Sequence, residues 1–277
     1  MLSYNKHYFP WMKGSAFMAW ENKGDNLIEL NSNKANKPII IYQFIDPFCD
    51  HCWQLELIIK KLALEYGNFF IVRPIISLNS SFRNTTIKEN ICFLKHNLGL
   101  AIKAAELQGN KTGRQFLSKI QEGYFIYNND FFNEEILMEY AELTDLDLDE
   151  FANDIFSNSA KKAFQTDLKL IKEMHIKEFP SLVFSSKHNE RHNLKVTGLA
   201  DYNAYVQLIY KLLNKIPKRQ KKPPIHLFLK EQGLLSLENI AFIYDWPHED
   251  TKKRLNELKL KGLIKELTIS SQKYWTY

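Results

Sequence analysis

Cysteine is scarce: Cys49, Cys52 and Cys92 are the only three in 277 residues, too few for a secreted disulfide scaffold. Long apolar runs are absent too, since no stretch of eighteen or more uncharged apolar residues occurs, so no membrane-spanning helix is expected. The opening residues Met1–Lys13 contain no apolar core segment and no small-residue cleavage site. They do not read as a signal peptide, and a cytoplasmic protein is expected. Neither a nucleotide-binding glycine loop nor a hydrolase signature appears.

A general excess of positive charge is also missing. The net charge is +5, and Lys215, Lys218, Arg219, Lys221 and Lys222 alone account for it. The rest of the chain is balanced, which argues against a nucleic-acid-coating surface. That basic run contains no acid and reads as a solvated linker.

What is present begins at Ile39. The β-branched run Ile39–Ile45 leads into Asp46-Pro47-Phe48 and a C-x-x-C pair, Cys49 and Cys52, and Trp53–Leu64 has helical periodicity. Strand, loop, C-x-x-C and helix is the arrangement of a thioredoxin-like redox motif. The first thiol would sit at a helix N-terminus, where the macrodipole and free N–H groups favour a thiolate. Downstream, Phe179-Pro180 stands just ahead of the β run Ser181–Ser185. In such a fold Pro180 is the candidate cis-proline, packed beside the thiols.

The remaining elements assemble an α/β domain. Phe69–Ile76 reads as a second buried strand, parallel to the first through a β-α-β unit. Ala16–Trp20 and Leu27–Leu30 are short strand candidates. Helices are expected over Asn90–Gly109, Thr112–Gln121, Asn133–Leu143, Asp147–Phe156 and Ser159–Met174, then strands Ser181–Ser185 and Leu194–Thr197, and a closing helix Tyr202–Leu213. The expected organisation is a thioredoxin-like domain over 1–214 with a helical insertion at about 85–175. A basic linker at 215–224 and a small unit at 225–277 follow. Three short helices, Leu227–Gln232, Leu235–Tyr244 and Glu249–Lys261, followed by a two-stranded hairpin, give that last unit the order of a winged helix.

Two features qualify the chemistry. Thioredoxin-like oxidoreductases commonly place a carboxylate six residues before the first cysteine, and here that residue is Gln43. Asp46 lies nearby, where its expected job is to shape the Asp-Pro turn. Cys49, Cys52 and His51 could contact a metal with His7 or Cys92 as a remote ligand. One C-x-x-C is only half of a structural zinc site, however, and no second pair stands at suitable spacing. No cofactor is expected, and Cys92 reads as a small buried hydrophobe. In the tail, Lys252, Lys253, Arg254, Lys259 and Lys261 share the would-be recognition helix with Glu249, Asp250 and Glu257. Residues 225–277 hold eight Lys/Arg against seven Asp/Glu, so protein contact is expected there and nucleic acid is not.

Taken together, Tyr42–Trp53, Lys103-Ala-Ala-Glu-Leu-Gln-Gly109, Pro180–Phe184, Val196–Tyr202 and Ile243-Tyr-Asp-Trp-Pro247 resemble the SpxH (YjbH) family, DsbA-like adapter proteins of low-GC Gram-positive bacteria. The resemblance implies a function that thiols alone would not suggest. It implies binding of the transcription factor Spx and promotion of its degradation by the ClpXP protease, with the Spx C-terminus left accessible to the unfoldase. An adapter needs no chemistry of its own, which suits Gln43. The alternative, resting on Cys49, Cys52 and Pro180, is a cytoplasmic thiol–disulfide oxidoreductase. A DNA-binding redox sensor using the tail is the third reading.

Overall fold

The computed structural model describes residues 16–20, 38–78, 91–129, 134–186 and 189–277. His7 and the strand candidate Leu27–Leu30 lie outside them. Among the described residues, five strands form one sheet in the order β1-β5-β4-β2-β3: β1 Ala16–Trp20, β2 Ile39–Ile45, β3 Phe70–Ile76, β4 Ser181–Ser186 and β5 Asn189–Thr197. Strand β2 is central, parallel to β3 and antiparallel to β4. Its sequence, apolar but for Gln43, follows from having both faces covered. One face packs Ile39 and Ile41 against helices α1 (Asp50–Tyr66) and α7 (Tyr202–Leu213). On the other, Tyr42 and Phe44 meet Met174 and Ile176. The edge strand β3 is blunted against stray pairing. Pro74 has no N–H to offer, and the Ile76 N–H is taken by Asp167 Oδ2 at 2.8 Å.

Between β3 and β4 the described residues form five helices: α2 Ile91–Leu107, α3 Asn110–Phe125, α4 Glu134–Glu142, α5 Leu148–Ile155 and α6 Asn158–Glu173. Their shared core includes Ala101, Ile102, Phe116, Phe151 and Phe164. At Gly99 the backbone of α2 lies against the Phe164 ring, and a Cβ there would fall 2.5 Å from the ring tip. Phe164 is itself buried and cannot swing aside freely. Gly99→Ala is therefore expected to cost about 1–3 kcal/mol, read as a lowered urea midpoint with an unchanged slope.

The block Lys103–Gly109 proves to be a structural joint. Lys103 Nζ pairs with Asp167 at 2.5 Å and with Glu106 at 2.8 Å. Gln108 exchanges two bonds with the backbone of Asp147, accepting its N–H at 2.8 Å and donating to its carbonyl at 2.9 Å. Gly109 takes φ 137°, outside the range open to other residues. Helix α2 is thereby tied to α6, to the head of α5 and, through Asp167, to the edge strand.

Residues 225–277 form α8 Ile225–Gln232, β6 Leu235–Ser236, α9 Leu237–Tyr244, α10 His248–Leu260, β7 Lys265–Ile269 and β8 Gln272–Thr276. Their sheet runs β6-β8-β7, all antiparallel. The sequence suggests a two-stranded hairpin; the structure adds β6. Two residues are too short to show a period, and Leu235 and Ser236 read as the start of the next helix. Ser236 in fact caps α9, its Oγ accepting the Asn239 N–H at 3.2 Å.

The linker expected at 215–224 is exposed at Lys215, Lys218, Arg219 and Lys221, but it is bonded to α1 at Arg219, Gln220 and Lys222. Glu65 of α1 is fully buried, forms ion pairs with Lys222 at 2.8 Å and Arg219 at 3.3 Å, and accepts the Tyr202 hydroxyl at 2.7 Å. Gln220 N–H donates to the Glu65 carbonyl at 2.9 Å. Lys222 also pairs with Asp245 at 2.6 Å. Lys61, buried on α1, pairs with Asp245 and donates to the Phe242 carbonyl at 2.7 Å. Its ammonium stands over the Tyr202 and Phe242 rings, 4.8 and 4.6 Å from their centroids. Leu57 and Leu64, on the same side of α1, pack into the core of residues 225–277. The basic run is thus partly consumed in docking the last unit on α1.

Candidate functional site

The site grows from the end of β2. Asp46 is buried, and its Oδ1 accepts the Phe48 N–H at 3.1 Å while its carbonyl accepts the Cys49 N–H at 3.1 Å. This closed turn delivers Cys49 to the N-cap of α1 with extended backbone, φ −87° and ψ 124°. The Cys49 thiol is half-exposed, 3.7 Å from the Phe179 carbonyl, and the Phe179–Pro180 bond is cis. Cys52 is fully buried, its sulfur 3.5 Å from the Asp46 N–H. The helical insertion supplies the wall: Tyr124 lies 4.5 Å from Phe48, and Phe125 stacks on Trp53 at 5.4 Å.

The two thiols are driven apart in acidity. A hydrogen bond from Cys52, helped by the N–H groups of Cys52 and His51, lowers Cys49 to about 7 against the opposing pull of burial and the Asp46 charge. Burial, first, and the shared bond with Cys49 push Cys52 far up. One sulfur is poised as a nucleophile and the other holds the proton. Of the two motif thiols, Cys49 and not Cys52 is expected to be alkylated by iodoacetamide in the native protein, its rate half-maximal near pH 7. Asp46→Asn keeps the acceptor for Phe48 and removes the charge. It should shift that midpoint downward, as read by thiolate absorbance against pH.

Gln43 is buried beneath the site and donates to Glu56 Oε2 at 3.3 Å. A carboxylate does stand beside this position, delivered by α1 one turn after Cys52 and not by the strand. Sequence reasoning passed over Glu56, although its spacing of four from Cys52 on a helix was a readable signal. Around the weak metal candidates, His51 is exposed. Cys92 falls in α2, but its side chain lies outside the described residues. Among those residues no group of three His, Cys, Asp or Glu could hold a metal, so Cys49, Cys52 and His51 are not joined by further ligands there.

Fold and site define a thioredoxin-fold protein of the DsbA-like type. A thioredoxin family model matches residues 42–207. Reduced DsbA1 from Neisseria meningitidis superposes with a TM-score of 0.50 at 16% identity, over 74% of this chain and 93% of that one. Beyond the fold, this chain is 35% identical to a ClpXP adapter protein SpxH of Bacillus cereus, over 87% of this chain and 91% of the relative. It is 34% identical to ClpXP adapter protein SpxH of Bacillus subtilis, over 86% and 89%. The chain belongs to the SpxH family. Among the described residues, no helix is long and apolar enough to cross a membrane.

Proposed function

We propose that this chain is a cytoplasmic adapter that binds the transcription factor Spx and promotes its degradation by ClpXP, leaving the Spx C-terminus accessible to the unfoldase. The observation that carries this reading is the reach of the similarity. It covers 86–92% of the chain against the curated adapters, well past the thioredoxin segment 42–207. The docking of residues 225–277 on α1 supports it, because a binding surface spread over two units stays preorganised when they are fixed together. Gln43 fits as well, since an adapter acts by contact and asks no turnover of its thiols. No cofactor and no nucleic acid enter this reading.

A degradation time course of purified Spx by ClpXP, with and without the chain, tests it. Acceleration is expected from the wild type and from the Cys49→Ser, Cys52→Ser double variant alike. Equal rates with and without the chain would overturn the reading. The thiol–disulfide oxidoreductase is kept as a second reading because Cys49 is acidified, half-exposed and beside the Phe179 carbonyl. It calls for insulin reduction that the double variant loses.

A further inference from the structure

Charge is distributed along this chain in two opposed blocks. Residues 252–273 carry seven Lys/Arg and two Glu, whereas residues 134–154 carry nine Asp/Glu and no Lys or Arg. On the basic side, Lys259 and Lys273 both pair with Glu266, at 2.6 and 2.5 Å. Lys252, Lys253, Lys261 and Lys265 are exposed and have no ion pair among the described residues. On the acidic side, Glu139, Glu142, Asp145, Asp149 and Glu150, from α4, α5 and the loop between them, are likewise exposed and outside any ion pair there.

Both blocks also show apolar side chains to solvent. Leu260, at the end of α10, is 88% exposed, with Leu263 and Leu267 at 38% and 39%. The hairpin reverses the usual alternation. Leu267, opposite Tyr274, is on the outer face, while Glu266, opposite the buried Trp275, is on the core side. A sheet with one face in water ordinarily turns its leucines inward. On the acidic side Leu143 and Phe156 are 63% and 51% exposed. The leucines stand among lysines in sequence, and Leu143 and Phe156 among or just after carboxylates, so the two sets complement one another in charge and in apolar content. Because each set is open to water within one chain, the match is not used up internally.

We propose that these two faces bind each other between two copies of this chain, head to tail. The α10–β7 turn of one copy packs its leucines on Leu143 and Phe156 of the next, and lysines meet carboxylates around them. A nucleic-acid ligand fits the basic face less well. Exposed leucines gain nothing from phosphates, and Glu249 and Asp250 stand at the head of α10. The contact is heterologous, so it need not close, and mass should climb past two chains as concentration rises. This inference goes beyond the adapter reading and does not depend on it.

Sedimentation velocity of the full chain at low and at molar salt tests it. The wild type should move from one chain mass toward two and beyond with concentration at low salt, and return to one chain mass at molar salt. The variant Lys261→Glu, Lys265→Glu and the variant Glu139→Lys, Glu142→Lys should each sediment as single chains. All four substitutions are at exposed sites and spare the core. Mixed in equal amounts the two variants should associate again, because each reversed face meets its reversed complement. A wild type that stays a single chain at low salt overturns the proposal. So does association that survives in either variant alone. Binding of a labelled random DNA duplex by a single-chain wild type, lost in Lys261→Glu, Lys265→Glu, would assign the basic face to nucleic acid and also overturn it.

Discussion

Lys103→Met should lower the stability of the folded chain by about 3–5 kcal/mol, the usual cost of breaking a buried ion cluster on one side. Lys103 is fully buried, and Asp167 and Glu106 are its ion-pair partners at 2.5 and 2.8 Å. Burial works to pull the lysine down in pKa, yet the two carboxylates outweigh it and hold it above its ordinary value. Burial raises both carboxyls in turn, against the pull of the lysine. With the ammonium gone, that burial acts with less opposition, and their folded pKa values rise further above the unfolded ones. A group of this kind favours the folded state when protonated. The deficit of the variant is therefore largest above the raised pKa values and shrinks as pH falls through them. Urea unfolding at neutral and at mildly acidic pH reads both effects. Adding Asp167→Asn to Lys103→Met keeps an acceptor for the Ile76 N–H and removes one stranded charge, so it should recover part of the loss. A neutral-pH midpoint unchanged by Lys103→Met would show that the cluster contributes nothing.

Glu65→Ala should cost about 3 kcal/mol, at the low end of the same range, because Arg219 is half in water and can be rehydrated. The loss should also be local. Glu65 collects Lys222, Arg219 and Tyr202 at one buried point. Its removal frees the connecting segment 215–224 and leaves the Tyr202 hydroxyl without its acceptor. Opening of that segment would come before global unfolding. Trypsin, which cleaves after Lys and Arg, should cut the variant within 215–222 much faster than the wild type. Glu65→Gln retains an acceptor for Tyr202 and should fall between the two. An unchanged tryptic rate would mean that Leu57, Leu64 and the Lys61 and Lys222 pairs with Asp245 hold the segment and the last unit in place without Glu65.

The parts of the fold read most directly from sequence are those with local signals. The run Ile39–Ile45, the Asp46-Pro47 turn, the C-x-x-C and the helix that follows are contiguous, and each announces itself by residue type or period. Pro180 is legible because it immediately precedes a β run. The role of Lys103-Ala-Ala-Glu-Leu-Gln-Gly109 was not legible. Its partners Asp167 and Asp147 lie in or beside other helices, and no period links them to it. Glu56 was missed because the expected carboxylate belongs to the strand ahead of Cys49, while the link from Glu56 to Gln43 runs from helix to strand. Strand β6 was missed because two residues carry no alternation.

The basic stretch 215–222 shows the same division most plainly. Composition alone described five cations without acids and suggested a solvated linker. Only the tertiary structure placed Glu65 and Asp245 beside Lys222, turning part of that run into a joint. By itself the sequence determined the thiol motif, the helix that carries it and, apart from β6, the order of the described strands and helices, because those depend on neighbours along the chain. The tertiary structure decided which buried charges pair, how residues 225–277 seat on α1 and which leucines stay in water. Those outcomes depend on desolvation and on contacts between residues far apart in sequence, and no local pattern encodes them.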